Sequence, residues 1–261
     1  MWFQIKEAFK YYLFSRHKKG HAIHSPFVFG LITEVFLDKT DYPEYKIIEQ
    51  RIKLLKKSKQ SVHTQLYGAK PSAVKVLVKI KSIAKKSTIS PRYGRLLFRL
   101  VRYYKAQQVL ELGSCLGVST SYLALANKKG QVWSIEASDE FAQIANETVN
   151  HCEINNVEII NGTFEEKLCF VLDKISSLDV VFIDGNHTFN ATLKYFDILA
   201  KKAKNNTLII LDDIYWSKDM YRAWKEIQKN EKVTLTVDIH RMGLVFFKKE
   251  IMVKQHFVIR F

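Results

Sequence analysis

This 261-residue chain has no long apolar run and only three cysteines. No apolar run approaches the roughly 18 residues that a membrane-spanning helix needs, so no spanning segment is predicted. The N-terminal stretch is amphipathic and lacks the apolar core and small-residue cleavage site of a secretory signal, so we expect a cytoplasmic protein. The three cysteines, Cys115, Cys152 and Cys169, have no paired spacing, which excludes a disulfide framework and favours reduced thiols.

Acidic residues are scarce in the first part of the chain. Residues 1–105 contain 23 Lys and Arg against 6 Asp and Glu, a net charge of +17, whereas residues 106–261 contain 18 against 20, a net charge of −2. We predict a basic helical N-terminal extension or cap over residues 1–87 and a separate domain over residues 88–261. Three interpretations of the basic part stay open: solvated helices that cap a site, a surface for anionic lipid at the inner membrane, and a nucleic-acid surface. A phosphate-bearing substrate would also explain the charge.

The second half of the chain alternates short apolar runs with helical patterns, which is typical of βαβ units and a parallel sheet. Two further runs, "KVTLTVDIH" and "GLVFFKK", are too close for a crossover helix and predict an antiparallel hairpin. The fold class is therefore α/β, with a mostly parallel sheet closed by a C-terminal hairpin. The five parallel strands are expected at residues 108–113, 131–137, 157–162, 178–185 and 207–213.

The first part of the chain has helical patterns. In "SPFVFGLITEVFLD", Ser25 is placed to cap a helix that has Pro26 at its first position. Four other stretches are expected to be helical: "FQIKEAFKYYLF", "YKIIEQRIKLLKK", "AVKVLVKIKSIAKK" and "RYGRLLFRLVRYY".

A glycine turn follows the first predicted parallel strand in "ELGSCLGVST". Gly113 and Gly117 allow a tight turn and the close approach of a ligand, and Ser119 can meet free N–H groups at the next helix start. The pattern is neither GxGxxG nor a P-loop, and Glu111 suits a cationic or hydroxyl-bearing ligand better than a pyrophosphate. The second strand ends at Glu136, placed to accept hydrogen bonds from ribose hydroxyls. Together these residues predict an adenosine site, although a plain strand–turn–helix junction is the alternative.

Polar residues also follow the later strands. Thr163 comes after the third strand, where it could flank an adenine. Asp184 ends the fourth strand, and Asp212 and Asp213 end the fifth. Because close carboxylates stay charged only beside a cation, the three aspartates predict a site for Mg²⁺ or a similar divalent ion. The alternative is that Asp212 or Asp213 caps the following helix.

The motifs "VLELGSCLGVST", "SIEA", "FIDGNH" and "LIILDDIYW", in this order, resemble a class I S-adenosylmethionine-dependent methyltransferase. More narrowly, they are similar to the cation-dependent O-methyltransferases of the catechol and caffeoyl-coenzyme A type, in a bacterial, Bacteroidetes-like branch. The resemblance covers roughly residues 88–250 and implies a Rossmann-like seven-stranded sheet with the terminal hairpin.

The resemblance also implies roles for individual residues. It places a divalent cation on Asp184, Asp212 and Asp213, but the last position is usually Asn. The family's catalytic Lys is replaced by His187, which could act as general base together with Asp184. His187 could instead cap the next helix or bond to Asp184 structurally. The implied cofactor-binding set is Glu111, Gly113, Ser114, Gly117, Ser119, Glu136, Thr163 and Asp184.

We therefore expect an enzyme that transfers a methyl group from S-adenosylmethionine to an oxygen of a small-molecule acceptor. The expected cofactors are S-adenosylmethionine and a divalent cation, and a homodimer is among the expected assemblies. Two alternatives are a cofactor-binding protein that has lost catalysis, because the Lys is missing, and a methyltransferase that acts at an anionic surface of lipid or RNA.

Overall fold

The structure is a computed structural model that describes residues 2–15, 23–66 and 74–261. Its contacts divide the chain into two compact units. The glycine-turn unit comprises Lys39–Ser177, and the hairpin unit comprises Met1–Asp38 together with Leu178–Phe261. The boundary expected after residue 87 stays a prediction.

The helices and strands alternate along most of the chain. The helices are α1 (Trp2–Phe14), α2 (Pro26–Gly30), which continues as a π-helical segment (Leu31–Phe36), α3 (Pro43–Lys57), α4 (Ile80–Lys86), α5 (Pro91–Tyr104), α6 (Val118–Ala126), α7 (Asp139–His151), α8 (Phe164–Lys174), α9 (Phe189–Lys202) and α10 (Lys218–Lys229). The strands are β1 (Ser61–Thr64), β2 (Val76–Lys79), β3 (Gln108–Leu112), β4 (Gln131–Glu136), β5 (Val157–Asn161), β6 (Val180–Ile183), β7 (Leu208–Leu211), β8 (Leu235–Asp238), β9 (Gly243–Phe246) and β10 (Gln255–Val258).

In the glycine-turn unit, three strands run parallel in the order β3–β4–β5. Leu112 pairs with Ile135, and Glu136 pairs with Asn161, so the carboxyl ends of these strands lie at one edge. Every residue of α6 is buried, which explains why "VSTSYLALA" has no charged side chain. The βαβ alternation that the apolar runs predicted is therefore confirmed in this unit.

One predicted helix is partly wrong. "AVKVLVKIKSIAKK" forms strand β2 over Val76–Lys79 before helix α4 begins at Ile80. The alternation in "VKVLVK" has a period of two residues, and β2 pairs antiparallel with β1, a strand that the sequence reading missed. The helices expected around α1, α2, α3 and α5 are confirmed.

In the hairpin unit, β6 and β7 run parallel, and β9 lies antiparallel to both β7 and β8. The expected terminal hairpin is thus confirmed. Strand β10 adds to β8 in parallel, and it was not expected from "KQHFVIRF". The α/β class is confirmed. Besides the β1–β2 pair, the structure describes eight strands, β3 to β10, one more than the seven that the resemblance implied.

The α2 cap also matches its prediction. The Ser25 hydroxyl accepts a hydrogen bond from the Val28 amide at 3.4 Å, and Pro26 is the first helical residue. Among the residues that the structure describes, no helix combines the length and apolar character needed to cross a membrane.

Candidate functional site

The turn between β3 and α6 has an unusual backbone. Gly113, Cys115 and Gly117 all have positive φ angles, of 106°, 48° and 77°. At Gly117 a Cβ atom would come within 2.9 Å of the Cα and carbonyl oxygen of Ala145, so the turn packs directly against α7. Glycine at this position is required both by the backbone conformation and by that close approach.

Glu111 lies beneath this turn and is fully buried. Its Oε2 accepts hydrogen bonds from the hydroxyls of Thr120 and Ser134, and the Ser134 hydroxyl also contacts that of Ser114. Burial raises the pKa of Glu111, while hydrogen bonds from the surrounding hydroxyls, including that of Ser119, oppose the increase. Its Oε1 has no hydrogen-bond partner among the described residues.

Glu136 connects two loops at the end of β4. Its Oε2 accepts a hydrogen bond from the Cys115 amide at 2.8 Å, and its Oε1 accepts one from the Ser138 amide at 2.9 Å. Burial raises the pKa of Glu136, and these amide donors oppose the shift. The Ala137 amide is a further donor to this carboxylate, whose two oxygens have about four lone pairs in all, so capacity for another donor remains.

Thr163 stands at the end of β5 as the N-cap of α8. Its hydroxyl accepts a hydrogen bond from the Glu166 amide, while the Glu166 carboxylate accepts one from the Thr163 amide at 3.0 Å, which completes a capping box. The structure thus gives Thr163 a helix-capping contact, and its expected place beside an adenine stays a prediction.

In the hairpin unit, three predicted residues come together where β6 and β7 end. The His187 Nε2 lies 3.5 Å from an Asp184 carboxylate oxygen. Asp184, His187 and Asp213 each offer a ligand atom, and these atoms lie within 4.8 Å of one another. We call these three residues the Asp–His–Asp cluster. Asp213 adopts the left-handed conformation, with φ of 53°, where the chain leaves β7.

Asp212 is held differently from its neighbour. It is fully buried, and both of its carboxylate oxygens accept hydrogen bonds from the Arg241 guanidinium: 2.9 Å from Nε to Oδ1 and 2.7 Å from Nη2 to Oδ2. Arg241 Nε also lies 3.7 Å from Asp213. A bidentate guanidinium–carboxylate pair of this kind is a strong, directional interaction.

The electrostatics of the cluster follow from burial and from this arginine. Burial raises the pKa of Asp213 to about 7, the negative charge of Asp212 adds to the increase, and Arg241 opposes it. Burial lowers the pKa of His187, although Asp212 acts in the opposite direction. The imidazole is therefore neutral at pH 7, because its ordinary pKa of about 6.5 is already below that value.

Arg241 is the site residue that the sequence pattern did not predict; it lies in the short connection between the two strands of the predicted hairpin. Strand β9 pairs antiparallel with β7, and Gly243 is opposite Leu211. A residue two positions before Gly243 therefore falls beside the residues that follow Leu211, namely Asp212 and Asp213. The hairpin register could have predicted this contact.

The candidate residues are divided between the two units. The glycine-turn unit contains the residues predicted to bind the cofactor, except Asp184; they are Glu111, Gly113, Ser114, Gly117, Ser119, Glu136 and Thr163. The hairpin unit contains Asp184, His187, Asp212 and Asp213. The roles assigned to these residues stay predictions.

Comparison with known proteins places this geometry in context. Residues 110–214 match a family model described as a methyltransferase domain. The chain is 32% identical over 114 residues to the "Probable cobalt-precorrin-6B C(15)-methyltransferase (decarboxylating)" of Sulfurisphaera tokodaii, covering 43% of this chain and 56% of the relative. It is 26% identical over 130 residues to the catechol O-methyltransferase of Niastella koreensis, covering 49% and 58%. The chain thus spans a little over half the length of these curated relatives.

Solved structures agree on the fold. An O-methyltransferase from Bacillus cereus, in complex with S-adenosylhomocysteine, superposes with a TM-score of 0.56 at 21% identity, covering 81% of this chain and 94% of the other. An O-methyltransferase from Streptomyces achromogenes, in complex with S-adenosylmethionine, gives a TM-score of 0.54 at 23% identity, covering 62% and 82%. The resemblance to class I S-adenosylmethionine-dependent O-methyltransferases and the Rossmann-like α/β fold are confirmed.

Proposed function

We propose that this protein transfers a methyl group from S-adenosylmethionine to a hydroxyl oxygen of a small-molecule acceptor. The observation that carries the proposal is the His187–Asp184 pair at the end of β6, next to two further aspartates, in a chain whose residues 110–214 match a methyltransferase domain. A methyl sulfonium is already reactive, so alignment and removal of the acceptor proton are the main tasks left to the protein.

The glycine-turn unit has the features that this cofactor requires. The positive-φ turn at Gly113 and Gly117 lets a ligand approach the backbone closely. Glu136 keeps acceptor capacity beside its amide donors, which suits a hydroxyl of the ribose diol. Glu111, fully buried beneath the turn, accepts from the Thr120 and Ser134 hydroxyls and so stabilises the turn. When bound, S-adenosylmethionine supplies the methyl group; this chain supplies the acceptors that hold and orient it.

The hairpin unit would act on the acceptor. Neutral His187 takes the proton from the acceptor hydroxyl, and the Asp184 carboxylate at 3.5 Å stabilises the imidazolium that forms. The lowered pKa of His187 keeps the base unprotonated at neutral pH. In this arrangement the Arg241 guanidinium holds the Asp212 charge, so a cation is not needed to neutralise that carboxylate.

A divalent cation fits the Asp–His–Asp cluster better than it fits the predicted ligand set of Asp184, Asp212 and Asp213. Both oxygens of Asp212 already accept from Arg241, and a cation there would lie beside a guanidinium. Asp184, His187 and Asp213 would hold the ion, and it would lower the pKa of a bound acceptor hydroxyl. His187 cannot be ligand and base through the same nitrogen, so a cation test also decides its role.

The proposal is tested first by calorimetric binding of S-adenosylmethionine, and then by turnover against catechols and other vicinal diols. We expect His187→Gln to lower kcat by roughly a hundredfold or more with cofactor affinity unchanged. The matched control is His151→Gln, which changes an exposed histidine at the end of α7. Equal turnover of His187→Gln and the control would overturn the role of His187 as base.

Titration of Mg²⁺ and Mn²⁺ into the cofactor complex decides whether the cation takes part. Saturable binding that Asp213→Ala weakens and EDTA reverses would assign the ion to the Asp–His–Asp cluster. Turnover that is indifferent to EDTA would leave proton removal to His187 alone. Tight cofactor binding with no turnover on any hydroxyl acceptor would favour the protein that binds the cofactor without catalysis.

A further inference from the structure

Helix α1 is attached to the hairpin unit through polar contacts. The Gln4 side-chain amide donates to the Trp216 carbonyl at 2.7 Å, and the Tyr11 hydroxyl donates to the Ile259 carbonyl at 2.6 Å. The Tyr11 ring also stacks on His240, with centroids 4.9 Å apart. Glu7, on the same side of the helix, is buried. The inner face of α1 thus combines these polar contacts with the Phe3 ring, which packs edge-on against Tyr221 at 6.0 Å between centroids.

The outer face of α1 is apolar and solvent-exposed. It consists of side chains spaced by three or four residues, which places them in one stripe along the helix. The members of this outer stripe and their exposed fractions are Trp2 (81%), Ile5 (55%), Phe9 (66%), Tyr12 (64%) and Leu13 (60%). A contiguous exposed apolar face of this kind marks an interaction surface, because water alone would disfavour it.

Positive charge flanks the outer stripe. Lys6 and Lys10 are exposed, and the Arg260 guanidinium lies 3.8 Å from the centroid of the Tyr12 ring. The single acidic residue of the helix, Glu7, is buried and paired with Lys10 at 2.8 Å, so it does not offset Lys6 or Arg260. The sequence continues with Arg16, Lys18 and Lys19, which lie outside the described residues.

We propose that α1 binds the surface of an anionic lipid bilayer, lying in the plane of the interface with its outer stripe in the headgroup and acyl boundary. Aromatic and aliphatic side chains beside lysines and arginines are the composition that interfacial helices use. Trp2 and Tyr12 suit the boundary, since their rings are apolar and their N–H and O–H groups stay hydrated.

The charges beside the outer stripe favour an anionic bilayer over two other binding partners, a second copy of this chain and a nucleic acid. A second copy of α1 would bring its own lysines against those of the first, and like charges repel. A nucleic acid would be attracted by the cations and could stack on the aromatic rings, but it would leave the aliphatic side chains of Ile5 and Leu13 in water. An anionic bilayer satisfies both features, with phosphate for the cations and acyl chains for the stripe. The proposal does not depend on the methyltransferase activity.

Flotation of the 261-residue chain with lipid vesicles tests the proposal. Vesicles of phosphatidylglycerol mixed with phosphatidylcholine should carry the protein to the top of the density gradient, and vesicles of phosphatidylcholine alone should carry far less. High salt should weaken binding to the anionic vesicles. We expect Phe9→Gln combined with Ile5→Gln to lower binding to the anionic vesicles by about tenfold or more.

The matched control is Met252→Gln, because Met252 is a 90% exposed apolar residue that is not on α1. Its vesicle binding should equal that of the unchanged protein. Circular dichroism and cofactor affinity of each variant show that the fold is kept, and failure of cofactor binding in the unchanged protein would bear only on the methyltransferase proposal. Equal flotation of the control and the stripe variant would overturn the membrane proposal, as would a stripe-dependent dimer or RNA complex without vesicle binding.

Discussion

The buried carboxylates of the two candidate sites are held in opposite ways. In the glycine-turn unit, Glu111 and Glu136 are surrounded by neutral hydroxyl and amide donors, and burial raises the pKa of both. In the hairpin unit, Asp212 is fully buried but accepts two hydrogen bonds from a guanidinium. Neutral dipoles suit the binding of a hydroxyl- or amine-bearing ligand, whereas a fixed cation among aspartates suits the movement of protons.

The difference also shows what each unit would lose on mutation. Removing one neutral donor leaves the carboxylate its other donors and should cost about 1–3 kcal/mol. Removing a guanidinium from a buried carboxylate leaves an uncompensated charge, which is far more costly. The comparison therefore predicts a graded series of effects.

The largest effect is expected for Arg241→Met. It leaves Asp212 buried without its cation, so the free energy of unfolding should fall by roughly 3–5 kcal/mol. Urea unfolding measures the change. The double variant Arg241→Met with Asp212→Asn should recover a substantial part of it, since the buried charge is then gone. Additive losses in the double variant would show that the pair does not act as one unit.

The next effect is expected for Gly117→Ala in the other unit. The added Cβ would lie 2.9 Å from backbone atoms of Ala145, and an alanine would have to adopt φ of 77°. We expect a loss of roughly 1–3 kcal/mol in unfolding free energy, together with weaker cofactor binding. Thermal unfolding and calorimetry measure these two effects. Unchanged values for both would show that the turn can move away from α7.

A pH-dependent difference is expected for Glu111→Gln. The pKa of Glu111 is higher in the folded than in the unfolded protein, so the folded state binds more protons. The free energy of unfolding therefore falls as pH rises from the ordinary Glu pKa of about 4.3 through the folded pKa. The variant lacks this group. Its stability relative to the unchanged protein should therefore increase with pH over that window, as measured by urea unfolding. A constant difference would indicate a Glu111 pKa close to the ordinary value.

The smallest effects are expected from helix caps, one in each unit. Thr163→Ala removes the cap of α8, and Ser217→Ala removes the cap of α10, where the Ser217 hydroxyl accepts from the Met220 amide at 3.1 Å. Each should cost about 1 kcal/mol in unfolding free energy. Thr163→Ser should restore stability. Cofactor affinity that falls in Thr163→Ala, but not in Ser217→Ala, would add a ligand contact to the capping role of Thr163.

Most of the fold was predictable, because buried strands of four to six residues alternate with helical patterns after residue 107. The errors lie where local pattern and tertiary context conflict. "VLVK" in β2 is short enough to fit a helix or a strand, and its pairing with β1 decided the outcome. Strand β10 has only four residues, and its parallel pairing with β8 is a tertiary contact that a local pattern does not specify.

The sequence by itself determined the α/β order and the polar residues that follow each strand: Glu136, Asp184, Asp212 and Asp213. These follow from periodicity and strand ends, which are local. Only the tertiary structure decided that Arg241 neutralises Asp212, that Glu111 is buried beneath the glycine turn, and that α1 presents its apolar face to water. Each of these depends on strand register or on packing between residues that are distant in sequence.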